Sequence, residues 1–301
     1  MQTNVLGVIT GITSAFTWAL GGILTKSVVE GKDPTLVNAI QTVFSSVLMV
    51  VVILSLQMGG QVLDTELTTI LILFAAAFLG LILGNTFFIT SLKNIPVSIA
   101  FTLSSSYPLF TVLFAWLLIS EPITASVVLA ALLVVVGIGF LGRSQDPDTE
   151  NTSILSTAKG RKGSAIALFS AVVWGGATVV MRVGTLLTDP LIVSAYMVWI
   201  AAFVLLVWQI LRRNLRGELK QINARMWVIL AIAGIIGGTG LTNILFILSV
   251  FYVGASRAAI LTATTPLFSA LLAWIFLGER LSWVSGIGIL LIIFGAVIVS
   301  L

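Results

Sequence analysis

The feature of this sequence that most limits its fold is a succession of long apolar runs separated by short polar segments. A transmembrane helix needs about 20 predominantly apolar residues, and the sequence contains ten runs of about that length. They lie near residues 4–27, 35–57, 67–91, 97–119, 124–142, 163–184, 190–211, 225–251, 257–277 and 282–301. The sequence therefore predicts an all-α membrane protein with ten transmembrane helices.

Composition supports a lipid environment. Hydrophobic residues make up 58% of the 301 residues and charged residues only 9%, whereas soluble domains contain about 25% charged residues. Such a chain has too few charges to cover a water-exposed surface of its size, so we expect the lipid bilayer as its partner. We expect a multi-pass protein of a prokaryotic cell membrane. The net charge of +4 arises from basic residues in loops, which favours a charged membrane face and predicts no nucleic-acid partner.

The chain also repeats itself. The first two predicted helices of each half align with an offset of 156 residues, and the next three align with an offset of 158. The aligned pairs include Trp18 with Trp174, Asn85 with Asn243, Pro108 with Pro266, and Glu121 with Glu279. The sequence predicts a first repeat over residues 1–142, a polar linker over 143–162 and a second repeat over 163–301.

Five helices per repeat determine the relative orientation of the two halves. Because five is odd, two such repeats joined in series must cross the membrane in opposite directions. Inverted repeats of this kind are typical of secondary transporters, which alternate between inward and outward states around a site at the midplane. The architecture predicts a transporter that moves a small-molecule substrate by alternating access.

Two short segments resemble a known family. Residues 120–124, Ser-Glu-Pro-Ile-Thr, and residues 277–281, Leu-Gly-Glu-Arg-Leu, resemble the signature that closes the fourth helix of EamA domains. The tryptophans at 18 and 174 fit the same pattern. Over nearly its whole length, the chain resembles two-EamA-domain members of the drug/metabolite transporter superfamily. This resemblance implies a small polar or amphipathic substrate, amino-acid-like or related, and a role such as metabolite export.

The loop charges predict an orientation. Thirteen Lys and Arg residues fall on one side of the predicted bundle, while the other side, with both termini, holds only Arg182 and Arg257. The positive-inside rule places the basic side in the cytoplasm, so we expect both termini to be extracytoplasmic. The resemblance implies the reverse arrangement.

The kinked helices 4 and 9 supply the first candidate site residues. A proline inside a helix lacks an N–H and collides with the carbonyl four residues back. Hydroxyl groups precede each proline, where they can line a polar cavity or simply bond their own helix. We predict that these segments line the substrate site through Ser104, Ser105, Tyr107, Pro108, Thr262, Thr265 and Pro266.

Four further intramembrane residues are candidates for substrate binding. Asn85 and Asn243 carry amides that need partners in a membrane interior, so they either join helices or bind substrate. Trp18 and Trp174 lie in mid-span rather than at the interface where tryptophan concentrates. They either fill space between helices or form the walls of the cavity.

Four charged residues near helix ends are candidates for gating or capping. Lys26 and Arg182 lie at the ends of equivalent helices, where they can snorkel or bind a substrate carboxylate. Glu121 and Glu279 precede helices 5 and 10, where a carboxylate suits the N-terminal end of the next helix or an ion pair of a gate.

The residue inventory argues against catalysis. The sequence has no histidine and no cysteine, and we find no Asp or Glu near the middle of a predicted span. An intramembrane enzyme would need a nucleophile with a base, or metal ligands, within the spans, and without these residues it has almost nothing to work with. We predict no cofactor and no metal. A lipid or amphiphile flippase and a non-transporting scaffold remain alternatives. The oligomeric state stays open and a monomer is compatible with the sequence.

Overall fold

The computed structural model of the chain describes residues 2–144, 157–212, 215–277 and 283–300. All secondary structure in these ranges is helical. Within the described residues, seven helices are long and apolar enough to cross a membrane, and four shorter apolar helices accompany them. The prediction of an all-α, multi-pass membrane protein is thereby confirmed.

The first half begins with two long helices and a short one, α1 to α3. Its third span consists of α4, a π-helix over Phe78–Gly84 and α5. Its fourth span consists of α6 and α7, and α8 lies at the place of the fifth predicted span. The bounds are α1 Gln2–Val29, α2 Pro34–Ser55, α3 Gly59–Leu63, α4 Leu67–Ala77, α5 Asn85–Asn94, α6 Val97–Ser104, α7 Tyr107–Ile119 and α8 Ala125–Ser144.

The second half has the same order of elements. Its short helix α11 precedes α12 and α13, which lie at the place of the third predicted span of this half, and its fourth span consists of α14 and α15. The bounds are α9 Ala158–Leu187, α10 Pro190–Leu211, α11 Leu215–Lys220, α12 Ala224–Ile235, α13 Leu241–Val253, α14 Ala255–Thr262, α15 Thr265–Leu277 and α16 Trp283–Ser300.

The same residue types begin the second helix of each half. Asp33 accepts a hydrogen bond from the backbone N–H of Thr35, and Asp189 accepts one from that of Leu191. A proline follows each aspartate, where its missing N–H costs nothing because the first turn has no partner for it.

The third span of each half is irregular at the same place. The sequence predicted an unbroken helix over 225–251, but the helix is interrupted between Ile235 and Leu241. Under the 158-residue offset, this break coincides with the π-helix Phe78–Gly84. Glycine weakens the helix here, and a Cβ at Gly237 would lie 2.4 Å from the Cα of Gly21. Close packing against α1 therefore requires glycine at a point where glycine also loosens the helix.

The fourth span of each half is kinked as predicted. Helix α6 ends at Ser104 before Pro108, and α14 ends at Thr262 before Pro266. At each kink, a hydroxyl group compensates a helix-end carbonyl. The Oγ of Ser106 donates to the carbonyl of Leu103, and the Oγ1 of Thr264 donates to that of Leu261, both at 2.7 Å.

The predicted linker 143–162 is shorter in the structure at both ends. Helix α8 continues to Ser144, and α9 begins at Ala158. The side chain of Thr157 accepts a hydrogen bond from the backbone N–H of Gly160, and this cap sets the early start of α9. Residues 145–156 lie outside the described ranges.

The first helices of the two halves run in opposite directions. A Cβ on Gly7, near the start of α1, would contact Val253 at the end of α13, and one on Gly163, near the start of α9, would contact Ile95 after α5. The far end of α1, at Lys26, instead lies beside Ile95. We call the end of the bundle at which α1 finishes the Lys26 face, and the opposite end the Arg182 face.

The loops of the Lys26 face contact one another. The Nζ of Lys32 donates to the carbonyl of Gln221, and that of Lys93 donates to the carbonyl of Lys32. Arg212 forms a salt bridge with Asp33. These bonds place the loops after the first, third and seventh predicted spans on one face.

Candidate functional site

A cavity between the two halves contains most of the predicted site residues. Nine of the eleven line it, and Pro108 and Pro266 do not. Both prolines are buried beside it, where they shape the kinks. The nine residues are Trp18, Asn85, Ser104, Ser105, Tyr107, Trp174, Asn243, Thr262 and Thr265.

The two equivalent tryptophans meet in the cavity. The ring centroids of Trp18 and Trp174 are 5.1 Å apart, with the rings nearly perpendicular. Phe88 lies against both, at 6.1 Å from Trp18 and 5.3 Å from Trp174. Edge-to-face pairs of this kind are favourable, so the tryptophans form a rigid aromatic wall at the junction of the halves.

In the second half, Trp174 and Asn243 each donate a hydrogen bond to protein. The indole N–H of Trp174 donates to the carbonyl of Gly80 at 3.2 Å. The Nδ2 of Asn243 donates to the Oγ of Ser194 at 3.1 Å. These two bonds join neighbouring helices, which was the alternative to substrate binding for these residues.

The equivalent groups of the first half are not bonded. The Oδ1 of Asn85 is buried and has no hydrogen-bond partner among the described residues, and the whole residue is only 6% exposed. No acceptor for the indole N–H of Trp18 occurs in the described part of the chain. The two pairs of equivalent residues therefore differ in the hydrogen-bonding groups that remain free to bind a ligand.

Most of the hydroxyl protons in the cavity are used by backbone carbonyls. Tyr107 donates to the carbonyl of Ala259 at 3.0 Å, and Ser104 donates to that of Ala100 at 2.7 Å. Thr265 donates to the carbonyl of Thr262 at 2.7 Å. These hydroxyl oxygens can still accept a hydrogen bond from a ligand.

The cavity has two branches that the sequence analysis did not find. A smaller pocket shares Trp18, Asn85 and Gly238 with the main cavity. The other residues of this smaller pocket extend along α1 toward the Lys26 face. In the main cavity, the residues at the equivalent repeat positions extend along α9 toward the Arg182 face. The Lys26 branch is lined by Gly21, Gly22, Thr25, Gln41 and Phe88, and the Arg182 branch by Ala177, Thr178, Met181, Met197 and Phe246.

These ten residues are equivalent pairs under the repeat offsets. The repeat alignment, extended from Trp18 and Asn85 along each helix, could have identified them. The branches differ in chemistry, however. In the Lys26 branch the Nε2 of Gln41 donates to the Oγ1 of Thr25 at 2.8 Å, whereas the Arg182 branch carries Met197 and Met181 at these positions.

Each branch ends beside a basic residue that bonds a neighbouring helix end. The Nζ of Lys26 donates to the carbonyls of Leu92 and Ile95. The Nη1 of Arg182 donates to the carbonyls of Val250 and Phe251, at 3.0 and 2.9 Å. Leu92 and Val250 are equivalent under the 158-residue offset, so the same bond occurs at both faces. We call these two contacts the Lys26 latch and the Arg182 latch.

Glu121 lies on the Arg182 face against the other half. Its Oε1 accepts a hydrogen bond from the backbone N–H of Ser256 at 3.3 Å, at the start of α14 rather than at the start of the helix that follows Glu121. Its Oε2 is buried without a partner among the described residues. The equivalent Glu279 lies outside those residues.

No charged side chain lines the cavity or its two branches within the described residues. Aromatic, aliphatic and thioether groups make up most of the surface, with a few amides and hydroxyls. Sites for small ligands commonly combine apolar walls with a few polar groups.

Comparisons with known proteins agree with this architecture. The model of the EamA-like transporter family matches residues 5–143 and 161–301. The chain is 27% identical over 299 residues to an uncharacterized transporter of Archaeoglobus fulgidus, covering 98% of each chain. It is 26% identical over 214 residues to an uncharacterized transporter of Synechocystis sp., covering 70% of this chain and 60% of that one.

A crystal structure of a protein with 20% sequence identity superposes with a TM-score of 0.77, over 97% of this chain and 95% of that one. At this identity the likeness shows the fold alone. The two family matches together span almost the whole sequence. The chain therefore belongs to the EamA-like transporter family, and it is a membrane transporter and not an enzyme.

Proposed function

We propose that this chain is a secondary transporter that moves a small polar or amphipathic metabolite by alternating access through the central cavity. The observation that supports this most is the pair of equivalent branches, which lead from one cavity toward opposite faces. A site that opens alternately to two sides needs two routes of this kind around a shared centre.

The latches explain how each route is closed. Lys26 directly follows Thr25 of one branch, and Arg182 directly follows Met181 of the other. Each basic residue holds the first helix of its half against the carbonyl end of the third helix. Charge-assisted hydrogen bonds are the stronger ones in proteins. With both latches formed, the structure fits an occluded state, and release of one latch opens one face.

The transport cycle we propose needs ten membrane crossings. The seven long apolar helices account for seven of them. Helices α8 and α16 each supply one more, and α12 with α13 form the tenth as a broken span from Ala224 to Val253. Five crossings per half give inverted repeats, in keeping with the opposite directions of α1 and α9.

A flippase for lipids or other amphiphiles is the second candidate. An apolar groove lies apart from the central cavity, between α1, α15 and α16. Its residues are almost all apolar, as an acyl chain requires. They are Val8, Ile12, Thr264, Leu267, Phe268, Ile292, Ile293, Ala296, Val297 and Ser300.

The absence of cysteine from the sequence permits a direct test of alternating access. We would make Thr25→Cys and Met181→Cys separately and treat sealed vesicles of known orientation with a membrane-impermeant maleimide. Alternating access predicts labelling of each cysteine from its own face only. Labelling of both cysteines from one face would indicate a continuous pore and contradict the proposal.

Gly139→Cys serves as the control, since nothing lies within 4 Å of a side chain there and the position is exposed on the bundle surface. Its labelling should not depend on the state of the cavity. If Thr25→Cys and Met181→Cys react no more than this control from either face, the branches are not routes to water.

A further inference from the structure

The clearest unused hydrogen-bonding group in the cavity lies on the first half. Buried polar groups are almost always hydrogen-bonded, and exceptions call for an explanation. The amide of Asn85 is such an exception, because its Oδ1 is buried without a partner in the described residues. The residue lines both branches, so a molecule in either one can reach it.

Trp18 supplies a second unused group at the same junction. Its equivalent, Trp174, donates to Gly80, whereas the indole N–H of Trp18 has no acceptor among the described residues. Trp18 also lines both branches. Together, an indole N–H and a primary amide offer two kinds of donor and one carbonyl acceptor. They match a ligand that presents an acceptor and a donor side by side.

The surroundings disfavour a charged ligand. Among the described lining residues there is no Asp, Glu, Lys or Arg, and both nearby cations are already bonded to backbone carbonyls. An ion buried without a counter-charge is strongly disfavoured. The walls around Trp18 include Trp174, Phe88 and Phe101, which favour a flat, apolar body.

We propose that the cavity binds an uncharged, flat molecule whose amide-type edge, a carbonyl beside an N–H, is recognised by Trp18 and Asn85. This inference rests on the proposed transport function, since it assigns the substrate class of the same cavity. Trp174 and Asn243 hold the helices around the ligand and contribute less to its recognition.

Two sets of three related compounds test this class on the purified full chain in detergent. Benzamide, N,N-dimethylbenzamide and benzoate share one ring, as do uracil, 1,3-dimethyluracil and orotate. In each set, the first compound has the amide edge, the second lacks the N–H and the third is an anion. We expect benzamide or uracil to raise the thermal unfolding temperature in a concentration-dependent way, and the other members to do so weakly or not at all.

The repeat provides the matched controls. Asn85→Leu and Trp18→Phe should weaken binding of the stabilising compound on the order of tenfold, the effect of about 1.4 kcal/mol. Asn243→Leu and Trp174→Phe should weaken it clearly less. If Asn85→Leu does not fold, Trp18→Phe decides, because it keeps an aromatic ring and removes the N–H, and Trp174→Phe controls for the loss of ring volume.

Several results would overturn the inference. One is that benzoate or orotate stabilises the protein as much as the neutral parent compound does, or that the dimethylated compound does so. Another is that none of the six compounds stabilises the protein at all. The last is that the variants of the first half and those of the second half lose the same amount of binding. Binding is measured here without transport. A positive result beside a failed cysteine test would therefore retain the binding site and reject the transport cycle.

Discussion

Trp18 and Asn85 occupy the same repeat positions as Trp174 and Asn243, yet only the second pair is hydrogen-bonded within the described residues. A repeat preserves residue type, but the bonds of each copy depend on its neighbours. Ser194, which bonds Asn243, is replaced in the first half by Asn38, and Asn38 bonds Leu81 and Thr86 instead. Asn85 is thereby left without this partner.

The difference predicts opposite effects on the stability of the empty protein. Asn243→Leu removes an interhelical hydrogen bond, so it should lower the free energy of unfolding by about 0.6 kcal/mol, and by up to about 1.7 kcal/mol. Asn85→Leu removes a buried group without a partner and should leave stability unchanged or raise it, because such a group costs about 1–3 kcal/mol to bury.

Thermal unfolding of both variants in the same detergent checks this pair of expectations. The wild type without ligand is the reference, and the two leucines control for each other because the volume change is the same. A loss of stability in Asn85→Leu as large as in Asn243→Leu would show that Asn85 also joins helices.

At the scale of the helices, the third span of each half is irregular next to the cavity. The break before Leu241 and the π-helix Phe78–Gly84 bring Gly238 and Gly80 to the lining. Irregular backbone at membrane depth is tolerated where it lines a cavity. The break cannot widen toward α1, because Gly237 already packs directly on the backbone of Gly21.

Gly237→Ala should therefore destabilise the protein by about 1–3 kcal/mol, the range for overpacking. The added methyl group would lie 2.4 Å from the Cα of Gly21, so it must push α1 away from the third span of the second half. Gly139→Ala is the control, because nothing lies within 4 Å of its Cβ position. Helix propensity should make that variant as stable as the wild type or more stable.

Thermal unfolding and size-exclusion behaviour of the two variants measure this effect. Equal stability of Gly237→Ala and Gly139→Ala would mean that the contact between Gly21 and Gly237 is looser than the structure has it.

The sequence predicted the kinks better than the break. Pro108 and Pro266 remove a donor at a known place, so the end of the preceding helix follows from covalent structure. Glycines only weaken a helix, and whether Gly237 and Gly238 interrupt it depends on the helix packed against them. The direction of the branches was likewise missed, since Thr25, Gln41 and their equivalents become cavity residues only when the two halves are assembled.

For the whole molecule, the distribution of charge predicts the orientation. Lys32, Lys93 and Arg212 lie together on the Lys26 face. The sequence predicts this, because it assigns the loops that carry these residues to the same side of the membrane. The positive-inside rule then places this face in the cytoplasm. Both termini should lie outside.

A pair of reporter fusions tests this orientation. An alkaline phosphatase fused after Leu301 should be active, and one fused after Ser144, at the end of α8, should be inactive. A fluorescent protein that folds and glows in the cell when fused after Leu301 would reverse the assignment. Such a result would place the Arg182 face in the cytoplasm and leave the inverted arrangement of the halves intact.

The central claim is that two equivalent latches control one cavity from opposite faces. Lys26→Met and Arg182→Met each remove charge-assisted hydrogen bonds, which contribute about 1.5–3 kcal/mol apiece. In a two-state equilibrium, a change of that size shifts the ratio of states about tenfold or more.

The most direct measurement combines these latch variants with the single cysteines. In vesicles, Lys26→Met should raise maleimide labelling of Thr25→Cys from the Lys26 face and lower that of Met181→Cys from the Arg182 face. Arg182→Met should do the reverse. Labelling that rises at both faces in either variant, or that changes at neither, would contradict alternating access controlled by these latches.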